Sequence, residues 1–161
     1  MRSLNAGRAI LYGGLTVGIL DGLDAVVFFG LRSGVGPLRI FKGIAGGLLG
    51  AEAARAGGWP TALLGVVLHL TIATTIVAVF YLFSRRFTFL TRRPFVWGPL
   101  YGVAVYLTMN LVVLPLSGLH GTGLPQAVPV LLNGLLIHII GVGTPSALFA
   151  RATAPLIPEG R

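Results

Sequence analysis

The sequence predicts an all-α integral membrane protein: a bundle of four transmembrane helices with a short interfacial or re-entrant helix between the first and second spans. Two observations carry that prediction. Of 161 residues, 55% are hydrophobic and only 10% are charged, where a soluble domain carries about 25% charge. The few charges are gathered into groups, and the tracts between them can cross about 30 Å of hydrocarbon, which takes about 20 apolar residues in a helix.

The first span is expected over about residues 9–31, between Arg8 and Arg32, interrupted only by Asp21 and Asp24. Arg2 and Arg8 ahead of an apolar run would also suit a signal peptide, but two aspartates break the run and no small-x-small site precedes Arg32. The short helix follows over about 38–55. Leu38, Phe41, Ala45, Leu48 and Leu49 recur there at helical spacing, while Arg39, Lys42, Glu52 and Arg55 flank an uncharged core too short to cross. Gly57-Gly58 ends it, and Trp59-Pro60 places an interfacial aromatic and a first-turn proline at the head of the second span, about 60–83. Residues 94–150 form a run of 57 without one Asp, Glu, Lys or Arg. The turn chemistry of Pro115, Ser117-Gly118-Leu119-His120-Gly121-Thr122-Gly123 and Pro125 divides it into spans of about 96–116 and 127–149.

Twelve Lys and Arg against four Asp and Glu give a net charge of +8, which in a soluble protein would point to nucleic acid. Here the cations lie in short groups between apolar tracts, so the lipid bilayer is the expected partner and nucleic acid is not. Four spans put Arg2, Arg8, Arg85, Arg86, Arg92, Arg93, Arg151 and Arg161 on one side, and Arg32, Arg39, Lys42 and Arg55 on the other. The positive-inside rule then makes both termini cytoplasmic. With no cysteine in the chain, thiolate metal sites and iron–sulfur clusters are excluded.

The spans echo one another. Tyr12-Gly13 with Asp21 resembles Tyr101-Gly102 with Asn110, and Leu64-Gly65-Val66-Val67-Leu68-His69 resembles Asn133-Gly134-Leu135-Leu136-Ile137-His138; Phe80 and Phe149 follow at equal distance. The pattern suggests a weak parallel duplication, 9–85 on 98–151.

At about 1.5 Å per residue, Asp21 and His138 fall near the midplane, His69 within about 3 Å of it, and Asp24 and Asn110 about 6 Å toward the outer side. The small-xxx-small row Gly14, Gly18 and Gly22 adjoins Asp21, and Gly65 and Gly134 each precede a histidine by one turn, so these polar groups should emerge where helices pack. A carboxylate at that depth costs about 2.5–3.5 kcal/mol on insertion scales and needs a partner.

Three readings stay open on the sequence alone. Asp21, Asp24, His69, Asn110 and His138 suit a structural hydrogen-bond network that fixes helix register. They also suit a path for protons or small ions, since imidazole titrates near physiological pH. A bound haem or divalent metal, with His69 and His138 as nitrogen ligands, is the third. Arg39 and Lys42, on the outer side, would either reach Asp24 as a lid or snorkel to headgroups. No phosphate-binding loop or metalloprotease helix occurs, and neither Ser117 nor Ser146 lies in a nucleophile elbow. The chain therefore reads as non-enzymatic, with no resident cofactor required, and both a monomer and a homo-oligomer are open.

The tract Gly43-Ile44-Ala45-Gly46-Gly47-Leu48-Leu49-Gly50, then Gly57-Gly58, then Gly65 four residues before His69, all after an Asp-bearing first span, resembles the small bacterial inner-membrane proteins of the YagU-like kind. The resemblance covers about half the chain. It implies a multi-span protein of the bacterial cytoplasmic membrane and carries over no catalytic residue.

Overall fold

The first helix opens at Asn5, whose side chain accepts a hydrogen bond from the Arg8 amide at 2.8 Å, and closes on Gly34 in the left-handed conformation (φ 64°) that glycine adopts without strain. The computed structural model describes residues 4–121 and 123–153; Arg2, Thr122 and Arg161, used in the expectations above, lie outside the described residues. Helix α1 is Ala6–Ser33, α2 Pro37–Leu49, α3 Ala51–Ala56, α4 Trp59–Arg86, α5 Phe89–Arg92, α6 Pro94–Leu116 and α7 Val128–Arg151. There is no strand among the described residues. Four helices, α1, α4, α6 and α7, are long and apolar enough to cross a membrane, so the chain is a multi-pass, all-α membrane protein. These helices depart from the expected spans by only a few residues, because intrahelical hydrogen bonding continues past the hydrocarbon edge into the Arg-bearing ends. The expected single short helix is two, α2 and α3, broken where Gly50 takes φ 82°.

Lipid offers no hydrophobic drive between helices, so close backbone approach supplies much of the attraction. Glycine makes that approach at three junctions. On α1, Gly14 faces Thr74, Gly18 faces Leu70 and Gly22 faces His69, which lays α1 antiparallel along α4. Between α6 and α7, Gly102 lies against the His138 carbonyl and Gly143 against the Gly98 carbonyl. Finally α2 docks on α4 where Gly65 meets the Phe41 carbonyl. A Cβ at Gly65, Gly102 or Gly143 would overlap main chain, which cannot rotate away as a side chain can.

The fourth junction is different. Helices α4 and α6 have no comparable backbone contact and are joined by side chains, with the Tyr101 hydroxyl donating to the Ile76 carbonyl at 2.7 Å and the Phe80 and Tyr101 rings meeting edge to face at 5.0 Å. The end of the bundle that carries the termini is closed by two apolar clusters, Val17, Ala73, Val77, Val105 and Val142, then Phe80, Ala147 and Ala150.

Both later spans contain a wide π-helical turn, Met109–Val113 in α6 and His138–Gly143 in α7. A proline follows each, Pro115 and Pro145. Proline has no N–H to offer and its ring collides with the carbonyl four residues back. The preceding turn widens instead, and the amides of Leu114 and Thr144 reach back five residues to Met109 and Ile139. The third span, expected over about 96–116, runs through Pro115 and ends at Leu116.

The crowding at Gly143 sets a test. Replacing Gly143 with Ala should destabilise the bundle by about 1–3 kcal/mol, the range for overpacking a filled contact. Gly30→Ala, whose new methyl has nothing nearer than the Val35 carbonyl at 3.9 Å, should be neutral or stabilising. Reversible unfolding in mixed micelles reads both, and equal effects would refute the packing account.

Candidate functional site

One turn beyond the apolar seal, side chains from α1, α4, α6 and α7 converge on a cavity of about 630 Å³. Asp21, His69, Asn110 and His138 all line it, among mostly apolar walls, and α2 closes its far end through Ile40, Gly43, Ile44 and Gly47. A second cavity of about 220 Å³ between α1, α6 and α7 adjoins it, lined by Asp21, Asp24, Tyr106, Asn110, Asn133 and His138. Asp21, Asn110 and His138 face both. The five residues expected to form one polar layer are thus neighbours, but their pairings differ from those expected.

The two histidines are each held by main chain. His69 Nε2 lies 2.8 Å from the Gly18 carbonyl across the α1–α4 junction, and His138 Nδ1 lies 2.8 Å from the Gly134 carbonyl one turn back on its own helix. A carbonyl only accepts, so the bonded nitrogen carries the hydrogen in both rings, leaving Nδ1 of His69 and Nε2 of His138 uncommitted. Asn110 donates from Nδ2 to the Tyr106 carbonyl at 2.9 Å, which leaves its Oδ1 as an acceptor. Both Asn110 and His138 stand in the widened turns.

The aspartates separate. Asn133 donates from Nδ2 to Asp24 Oδ2 at 2.7 Å and so ties α1 to α7. Asp24 therefore pairs with none of His69, Asn110 and His138. Asp21 comes within 4.0 Å of His138 Nδ1, an ion pair only when the ring is protonated and too long for a hydrogen bond. Among the described residues Asp21 has no hydrogen-bond partner, and its side chain keeps 27% exposure, toward the cavities.

Arg39 and Lys42 do not reach Asp24. Lys42 Nζ donates to the Arg55 carbonyl at 2.7 Å, and both cations line a separate pocket with Arg55 and Leu119 at the α2 end. The lid expectation fails because Phe41, docked on Gly65 with its ring beside His69, turns the adjacent cations away from the bundle axis. Among the described residues no three His, Asp or Glu side chains gather closely enough to hold a metal ion.

Two contributors stand outside the expected set. Asn133 enters the sequence argument only as a letter in the repeat, yet it is five residues before His138 and supplies the Asp24 bond. Tyr106 is 4% exposed, packs edge to face on the His138 ring at 5.3 Å, and its buried hydroxyl has no partner. Its position four before Asn110, on the same face of α6, is the available sequence signal.

No family model, characterised protein or solved structure matches this chain.

The Asp24–Asn133 bond can be weighed directly. Asp24→Ala and Asn133→Ala should each destabilise the bundle, and a double-mutant cycle should return a coupling of about 1–2 kcal/mol, between typical intramembrane hydrogen bonds and charge-assisted ones. Additive effects would remove this link between α1 and α7.

Proposed function

We propose that this chain is a small, non-enzymatic membrane protein that binds and exchanges a proton or small cation at Asp21. One observation carries the reading: Asp21 lines both mid-bundle cavities and finds no hydrogen-bond donor among the described residues. A carboxylate within a membrane span that lacks a donor calls for water or a cation, because leaving it bare in hydrocarbon costs several kcal/mol. The Asn110 Oδ1, left free by the Nδ2 bond to Tyr106, adds an acceptor beside the same space. His138 supplies a titratable neighbour at 4.0 Å. In this reading the protein lies in a bacterial cytoplasmic membrane with both termini inside, the orientation favoured by the excess of arginine at the terminal end.

A second reading is favoured by a different observation. His69, Asn110, His138 and Asp24 each make a hydrogen bond within the bundle, as members of a network that only fixes helix packing would.

Flux and stability separate the two. In proteoliposomes holding a pH-sensitive dye, or loaded with sodium or potassium, the wild-type chain should dissipate an imposed gradient faster than protein-free vesicles. Asp21→Asn should abolish that flux, while Asp24→Asn lowers unfolding stability and keeps at least half of it. Wild-type flux no greater than the vesicle background, or undiminished flux in Asp21→Asn, would overturn the proposal and leave the packing role.

A further inference from the structure

The larger cavity is poorly explained by a proton or small ion alone. Its walls are apolar apart from the groups already named and Ser117, and its volume of about 630 Å³ falls in the range of sites that enclose organic ligands, about 300–1,000 Å³. A second space adjoins it on one side. Along the weakly joined α4–α6 junction runs a groove of about 390 Å³, bounded by Thr71, Thr75, Ala104 and Thr108. Groove and cavity share Ile72, Ile76, Met109 and Val113, so those four side chains form the wall between the two spaces. The groove lies between two membrane-spanning helices, well inside their ends, and therefore opens at hydrocarbon depth rather than to water.

We infer that the cavity takes an amphiphile from the bilayer through the α4–α6 groove: a single-chain molecule with a protonated amine at its polar end, seated on Asp21. This rests on the reading of Asp21 as the working group and names the class of substrate it serves. Charge selects the head. Asp21 is the one formally charged side chain on the cavity wall and no Lys or Arg lines it, so a carboxylate or phosphate head would be repelled while an ammonium is attracted. An ammonium offers three donors, and the acceptors on that side are the Asp21 carboxylate and Asn110 Oδ1. The chain has apolar wall to cover on both sides of the groove. Entry requires the four shared side chains to rotate aside, which the unbranched Met109 among them eases.

The test uses the full chain in phosphatidylcholine nanodiscs and a twelve-carbon primary alkylamine carrying a diazirine at its tail. Photolysis should attach the probe to α4 and α6 within 71–79 and 104–113. Decylamine should compete for labelling, and decanoate should not. Asp21→Asn should weaken labelling at least tenfold. Ala104→Trp, which fills the groove, should do the same while keeping the wild-type unfolding midpoint. Labelling that persists unchanged in Asp21→Asn, or that decanoate competes equally, overturns the inference. The gradient assay is read separately: amine labelling without wild-type flux sinks ion exchange and keeps the amphiphile site, whereas flux without Asp21-dependent labelling does the reverse.

Discussion

The rest of the structure depends on main chain meeting main chain through glycine. In a bilayer, apolar side chains gain little by leaving lipid for a neighbouring helix, so packing distance decides which helices hold together. Gly102 and Gly143 clamp α6 to α7, Gly14 and Gly18 seat α1 on α4, and Gly65 receives α2. Where such contacts are absent, between α4 and α6, the helices stand apart and are spanned by Tyr101 and Phe80. The cavity and its side groove are consequences of that uneven distribution. A bundle that is tight elsewhere but loose between α4 and α6 does not enclose a fully filled core.

The same distribution limits the symmetry suggested by the sequence echo. A parallel duplication relates α1 to α6 and α4 to α7, which makes the α1–α7 junction the counterpart of α4–α6. Helices α1 and α7 are packed together, with Gly13 against Phe149; α4 and α6 diverge. The echoed residues also take different partners. His69 reaches across to the Gly18 carbonyl on another helix, whereas His138 turns back to Gly134 on its own. The departure has a local cause in the proline-driven wide turns, which α6 and α7 possess and α1 and α4 lack.

Length and charge made the four spans readable, because crossing hydrocarbon demands about 20 apolar residues and few other folds tolerate such tracts. The polar layer was readable as a set, since Asp21, His69, Asn110 and His138 are rare letters at similar depth. Their partners were not. Depth along a helix follows from counting residues, but rotation about its axis depends on which glycines pack, and the proline-induced widening at Met109–Val113 and His138–Gly143 shifts the rotational phase in mid-span. Asn133 was hidden for that reason. So was the fate of Arg39 and Lys42, which depends on the seating of Phe41 against Gly65, a contact remote in sequence.

Asp21 and Asp24 lie three residues apart on one helix side, and what divides them is the state of α7 at each level. At the level of Asp24, α7 is an ordinary α-helix and presents Asn133, an amide free to donate. One turn deeper α7 widens, and its backbone at His138 is pinned because that carbonyl lies against Gly102. The ring has little freedom to approach, and its Nδ1 hydrogen is already committed to Gly134. Asp21 therefore faces a ring nitrogen held at 4.0 Å whose hydrogen is turned to Gly134, with cavities on either side. Glycine packing, proline strain and hydrogen-bond satisfaction, each local in origin, together leave Asp21 as a carboxylate in the span with no hydrogen-bond partner among the described residues.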